Sequence, residues 1–283
     1  MERKPYPTDL TDGQWQLIEP MLPDAKPGGC PRKTNLREVL NALFYLVRSG
    51  CQWRMIPHEF PPWKTCYNYY RAWIDNGTWD EIVVGLRTGV RTQAGRNEQP
   101  RVVAIDSQSV KTTEVGGERG YDGGKKITGR KRHIAVDTLG FLLAVVVTSA
   151  AVDDAAAAPQ VLGQLGADRF PRLSKLWADQ KYHNHRLNAW LKDQRYALEV
   201  VRRPVEAKGF VLLHKRWVVE RTNAWNGRSR RLSKDYERRP DSSESMIRVN
   251  SIRMLLNRLA PRPNARPFGY AKKTPENTGK VSG

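Results

Sequence analysis

The chain has 283 residues, and 48 lysines and arginines against 29 acids leave a formal net charge of +19 at pH 7. That balance points to an anionic partner, nucleic acid ahead of a membrane surface, while 39% hydrophobic residues provide for a folded core large enough for a small domain and a larger one. The sequence has no apolar run near the roughly 20 residues of a membrane span. It also lacks an apolar signal-peptide core at its N-terminus, which predicts an intracellular, cytoplasmic chain. Cys30, Cys51 and Cys66 are odd in number and lack metal-ligand spacing, so they read as reduced structural thiols.

Helices come first. Thr11 with Gln14 fits a capping box, and Trp15, Ile18 and Leu22 follow at helical spacing. A basic loop rich in Pro and Gly covers 26–33. Leu36, Val39, Leu40, Leu43, Phe44 and Val47 form a helical stripe stopped by Gly50. After Pro61-Pro62, a helix from about Trp63 to Ile74 turns Cys66, Tyr70 and Trp73 inward and groups Lys64, Asn68 and Arg71 on another face. Short helices with a basic, aromatic last member suggest a helix-turn-helix DNA reader, with a plain helical domain at even odds on this segment alone. Thr78 and Glu81 cap one more helix to about Val90, and 91–100 reads as a linker.

From Arg101 the pattern changes. Strands are expected at 101–106, 132–137, 141–148, 175–178 and 197–201, with a hairpin turn over Asp137-Thr138-Leu139-Gly140. Helices are expected at 155–165, 185–193, 214–231 and 243–259. The order predicts an α/β layout whose first three strands are antiparallel. The expected organisation is a helical domain over 1–95, a mixed-sheet domain over 96–262, and a disordered basic tail over 263–283.

Three acids stand where acids are locally unexpected. Asp106 and Asp179 end short apolar strands, and Glu220 lies on a helix crowded with arginine. If the first and fourth strands are neighbours, the two aspartates lie side by side at one sheet edge, where ligands bind outside the carboxyl ends of strands. On a helical wheel Glu220 shares its face with Arg216, Gly227 and Arg231, away from Val218, Trp225 and Leu232, which suit the core. Three such carboxylates could hold two Mg²⁺ ions about 3.5–4 Å apart across a scissile phosphate, with Mn²⁺ as a substitute. Arg216, Arg221, Arg228 and Arg231 would hold the DNA backbone nearby.

Other features have plainer readings. Any one strand-end acid taken alone is more often a turn former or cap; only the trio reverses those odds. Asp122, Asp137, Asp153 and Asp154 read as turn and cap residues. His183-Asn184-His185 matches a nuclease motif only by chance. The glycines at 116, 117, 120, 123 and 124 lack the strand–glycine–helix context of a phosphate loop. They read as a mobile basic loop with Lys125, Lys126, Arg130, Lys131 and Arg132, a DNA contact ahead of a merely solvated loop. The tryptophans read mostly as core.

The stretches "REVLNALFYLVRSGCQWRMIPHEFPPW", "AIDSQSVKTTEVGGERGYDGGKKITGRKRHIAVDTLG", "WADQKYH" and "LLHKRWVVERTNAWNGRSRRLSKDYE" resemble the DDE transposases of bacterial insertion sequences, in the insertion-sequence-five group. The resemblance runs from about Tyr6 to Leu259. It implies a ribonuclease-H-like catalytic domain behind a helix-turn-helix-like DNA-binding domain, acting at the nucleoid. It implies that Asp106, Asp179 and Glu220 are the D, D and E that bind metal and carry catalysis. It implies double-stranded DNA as partner, both element ends and target, and at least a dimer to join two ends. The sequence departs from the family signature at Lys181, Leu213, Asn223 and Gly227, where Gly, Tyr, an aromatic and Lys are expected. Two alternatives differ in class: a decayed copy that only binds DNA, and a ribonuclease-H-like nuclease that does not join. A plain helix-turn-helix regulator leaves the strand-rich half without a role.

Overall fold

The computed structural model describes residues 3–25, 28, 31–201 and 213–263. Cys30 and the tail expected over 263–283, apart from residue 263, lie outside these. The first helix, α1 (Asp12–Ile18), starts in the expected capping box, with the Gln14 N–H donating to Thr11 Oγ1 at 3.2 Å and the Thr11 N–H to Gln14 Oε1 at 3.3 Å. Helix α2 (Leu36–Ser49) is capped by Asn35 and ends at Gly50, whose φ of 76° and close approach to the Arg230 backbone leave no room for a side chain. Helix α3 (Trp63–Asp75) buries Cys66, Tyr70 and Trp73, as their spacing predicts. Helix α4 (Thr78–Gln93) starts differently from expectation. Gly77 occupies the cap at φ 77°, and Asn76, not Thr78, supplies the capping oxygen, at 3.1 Å from the Thr78 N–H.

The strands are β1 (Val102–Lys111), β2 (Gly120–Asp122), β3 (Ile127–Val136), β4 (Leu142–Ser149), β5 (Lys175–Ala178) and β6 (Ala197–Val200). Strand β1 pairs with β3 antiparallel and with β5 parallel, β5 pairs with β6 parallel, and β4 and β2 line the far side of β3. Two expectations need correction. Strand β1 runs five residues past Asp106, so that acid lies mid-strand. The glycine-rich segment is ordered as the β2–β3 hairpin, where Gly129 lets the Val110 carbonyl approach so closely that an added Cβ would lie 2.0 Å away.

Helices α5 (Asp154–Gly163), α6 (His185–Lys192), α7 (His214–Gly227) and α8 (Pro240–Leu259) complete the fold. Alternate strand residues feed two cores. Val103, Ile105, Ala135, Leu143 and Val146 pack with α5, α6, Phe170 and Tyr182 on one face. Ala104, Ile134, Val136, Val145 and Val147 join α1–α4, α7 and α8 in one continuous core on the other. A mixed sheet covered by helices on both faces is the ribonuclease-H-like arrangement, and the N-terminal helices share a core with it. Helix α8 is buried nearly all round and accepts contacts from each side. Tyr70 Oη donates to the Ser242 carbonyl at 2.5 Å, Arg248 pairs with Asp80 at 2.8 Å, and Glu244 accepts the Val147 N–H of β4 at 3.0 Å. That last bond, with Gln164 on Val145, satisfies the β4 edge.

The hairpin acid Asp137 does more than turn the chain. It accepts the Leu139 and Phe141 N–H groups at 2.9 Å each, and Arg91 of α4 at 2.5 Å, with the Asp137 side chain fully buried. The pair fastens the N-terminal helices to the sheet. Asp137→Ala leaves a buried guanidinium without its counter-ion, so a loss of about 3–5 kcal/mol is expected in denaturant unfolding. A loss under about 1 kcal/mol would show that the pair is not structural.

Candidate active site

Asp106 and Asp179 are brought together by the parallel β1–β5 pairing. Its rungs run Val102 to Lys175, Val103 to Leu176 and Ala104 to Trp177. Two more residues in the same register set Asp106 level with Asp179, where β5 ends and β1 continues along β3. Apolar neighbours fix both positions: Ile105 and Ala178 are buried beside them. Each aspartate accepts one backbone N–H, Asp106 from Ser107 at 2.8 Å and Asp179 from Lys181 at 2.9 Å. Burial pushes the Asp106 carboxyl up to about 6. The Ser107 N–H opposes that rise, Asp179 adds to it, and Arg216 and Lys125 pull it back.

Glu220 stands apart from the pair. It is exposed on α7, as the helical wheel predicts, and Arg216 Nη2 holds it at 2.9 Å. Arg216 is also close enough to Asp106 to stabilise its charge. The order is therefore aspartate pair, arginine, glutamate. Among the described residues, no three carboxylates, histidines or thiols are close enough to hold one metal ion. The donor set nevertheless suits a hard cation. It is all oxygen, and burial holds the Asp106 carboxyl up, so its charge gains from a cation placed against it.

Beside the pair lies a polar network that the sequence reading missed. Asp154, read as a cap, is buried at the start of α5; it accepts Ser107 Oγ at 2.7 Å and Lys131 Nζ at 3.1 Å. Burial works to raise its carboxyl, but those two partners hold it below its ordinary value. Asp122 accepts Ser109 Oγ at 2.5 Å and the N–H groups of Gly124 and Lys125, so it closes the β2–β3 turn as expected and also anchors β1. Asp153 is the cap proper, accepting the Ala155 N–H. Burial drives His133 down to about 4, so it is a neutral core imidazole bonded to Thr148. Tyr182 Oη is buried with no hydrogen-bond partner among the described residues, and burial together with Asp106, Asp154 and Asp179 keeps it protonated. Alternation along β1 was the available signal: Ser107 and Ser109 are inward-facing hydroxyls that need buried acceptors.

The expected DNA-contacting residues divide by exposure. Lys64 and Asn68 are exposed on α3, and Lys125 and Lys126 are exposed at the β2–β3 turn. Lys125 also reaches the Ser107 carbonyl at 3.3 Å. Arg228 is exposed at the end of α7. Arg221 is half-buried, its guanidinium over Trp217 and Trp225 and donating to the Leu139 carbonyl. Five of the expected contacts meet protein partners instead. Arg71 is held by Asp241 and Ser242 of α8. Arg130 is fully buried and donates to the carbonyls of Glu118, Glu237 and Arg238. Lys131 is buried between Asp122 and Asp154. Arg231 pairs with Glu237 at 2.7 Å and donates to the Cys51 carbonyl. Arg132 is buried and donates to the Leu232 and Lys234 carbonyls. All five cations are thus engaged within the protein, Arg71 at a partly exposed site and the other four in the interior.

Comparison with known proteins agrees with this geometry. Residues 97–255 match the family described as "Transposase DDE domain", and residues 10–83 match "Putative transposase of IS4/5 family". The chain is 34% identical over 77 residues to "Uncharacterized protein y4sN" of Sinorhizobium fredii, covering 27% of this chain and 62% of that one. It is 30% identical over 119 residues to "Insertion element IS402 uncharacterized 16.2 kDa protein" of Burkholderia cepacia, covering 39% and 78%. It is 33% identical over 139 residues to "Putative transposase for insertion sequence element IS402" of Burkholderia cepacia, covering 46% and 64%. The matches thus span less than two thirds of y4sN and of the IS402 transposase. No solved structure matches the chain. With the strand pairing that sets Asp106 beside Asp179 inside the matched segment, the chain belongs to the DDE transposases of the IS4/5 type.

Proposed function

We propose that the protein binds the terminal inverted repeats of its own insertion sequence, cuts the phosphodiester at each end, and joins the freed 3′-hydroxyl to target DNA. Joining two ends calls for at least two copies of the chain on the DNA. The observation that carries this reading is the level placement of Asp106 and Asp179 on adjacent parallel strands, flanked by Lys125 and Arg216.

Asp106 and Asp179 are the residues to hold a divalent cation, Mg²⁺ by the hardness of its preferred oxygen donors, with Glu220 as the third ligand. When bound, the metal activates the attacking oxygen and offsets charge at the phosphate. The protein's own groups do the rest. Arg216 is bonded to Glu220, and guanidinium forms comparably strong bonds to phosphate. A DNA backbone that draws Arg216 away frees the Glu220 carboxylate to turn toward the aspartates. Lys125 adds a second positive charge near Asp106. In-line displacement by water and then by a 3′-hydroxyl needs no covalent protein intermediate. The one phenol at the site, Tyr182, is buried and protonated, unsuited to nucleophilic attack.

Asp106→Asn removes a ligand charge at constant size. It is expected to reduce cleavage and joining more than about 10³-fold, the scale of several kcal/mol of lost charge stabilisation, with affinity for terminal-repeat DNA within about threefold of wild type. The assay uses labelled DNA carrying the element ends, with Mg²⁺ or with EDTA. Near-normal activity in the variant would remove Asp106 from the site. Wild-type protein that binds the ends yet never cuts them identifies a binding-only copy, and cutting without regard to end sequence identifies a nuclease.

On α3, Lys64 and Asn68 remain the base-reading candidates once Arg71 is assigned to the α8 contact. Asn68→Ala is expected to lower the preference for terminal-repeat over random DNA by about 5- to 100-fold, the range for one lost base contact. Competition binding at several salt concentrations measures it. An unchanged ratio would show that α3 does not read the ends.

A further inference from the structure

A second basic site lies where α2, α7, α8 and the β3–β4 turn meet. Arg48, Arg228, Arg253 and Arg258 line a pocket of about 240 Å³, with Phe141, Trp225, Met254 and Asn257 completing its walls and no acid among them. Arg258 lies over both rings, 5.9 Å from the Phe141 centroid and 5.3 Å from that of Trp225. Arg48 donates to the Arg228 carbonyl.

Arg253 sets this pocket apart from the other buried cations. Its Nε is buried without a hydrogen-bond partner among the described residues. Arg87 and Arg132 also keep unpartnered nitrogens, but each donates to a backbone carbonyl in a sealed core. Arg253 instead opens onto other arginines, and burial followed by Arg48 and Arg262 pushes it down to about 10. A guanidinium with no counter-ion among the described residues, crowded by like charges, is costly unless an anion completes it.

We propose that this pocket binds one sugar–phosphate unit of duplex DNA, the phosphate between Arg253 and Arg228 and the deoxyribose against Trp225 and Phe141. The proposal rests on the DNA-cutting reading above and adds a contact away from the cut. Arg228 ends the helix that carries Glu220, eight residues on, so the pocket is about 12 Å along that axis from Glu220.

The test measures binding of the full chain to a terminal-repeat duplex over a range of salt. Arg253→Gln and Arg258→Gln are each expected to weaken binding by roughly 3- to 10-fold at 0.1 M salt and to reduce the salt slope by about one ion. Arg172→Gln, at an exposed arginine before β5, serves as the charge control and should change neither. Arg253→Gln should also raise the melting temperature of the free protein, because it removes an uncompensated charge. A lower melting temperature with an unchanged salt slope would make Arg253 structural and overturn the proposal. Wild-type protein that fails to bind duplex DNA sinks the functional reading as well. Wild-type binding with unaltered slopes in both variants sinks the pocket alone.

Discussion

The parallel pairing of β1 with β5 forces two carboxylates into company that electrostatics disfavours. Three backbone rungs, backed by Val103, Ile105, Leu176 and Ala178 in a dry core, set the register, and the register leaves the aspartates no alternative. Burial raises the proton affinity of Asp106, and repulsion from Asp179 adds to it. It is contained by backbone N–H groups and by two flexible cations, Lys125 and Arg216, neither of which forms a direct ion pair with either aspartate among the described contacts. A closer, buried salt bridge would have neutralised the pair. Holding the cations at a distance keeps the aspartates attractive to a metal and leaves the cations able to meet a polyanion.

Arginine serves two purposes in this chain, and burial separates them. Arg91, Arg130, Arg132, Arg231 and Arg248 reach into the interior and donate to carbonyls or carboxylates. Several donors on one planar head let a single side chain tie together segments far apart in sequence, as Arg130 does for β3 and the loop before α8. The formal charge of +19 therefore overstates the cationic surface. Exposed cations such as Lys64, Lys125, Lys126, Arg48, Arg228 and Arg258 are the more selective guide to where an anion could be met.

Much of the fold was legible because its signals are local. The Thr11–Gln14 capping box, the α2 stripe ended by Gly50, and the Asp137–Gly140 hairpin each carry their information within a few residues. Adjacency of Asp106 and Asp179 was accessible only on the condition that the first and fourth strands are neighbours, and the β1–β5 pairing supplies that condition. Three features were hidden. Strand β2 is three residues long among glycines, with no periodicity to read. The roles of Arg71, Arg130, Lys131 and Arg231 depend on partners such as Asp241, Asp235, Asp154 and Glu237, which sequence spacing does not reveal. The Arg216–Glu220 bond is an ordinary i,i+4 pair on paper; only its position beside Asp106 gives it meaning.

The shared core carries a further consequence. The N-terminal helices touch the sheet through α8, which receives Tyr70, Arg71 and Asp80 on one side and gives Glu244 to β4 on the other. Helix α7 is tied to α8 by the buried chain Asn226, Asn250, Ser229. Close-packed interiors shift as units, because small displacements of one helix open voids or clashes around it. Helix α3 thus belongs to the same packed body as the helix that carries Glu220, and the Arg91–Asp137 pair ties α4 to the β3–β4 turn across the segment that joins α4 to β1. On the function proposed above, reading of an end by α3 and use of Glu220 as a third metal ligand would be joined through α8, and the exchangeable part of that linkage would be the surface bond between Arg216 and Glu220.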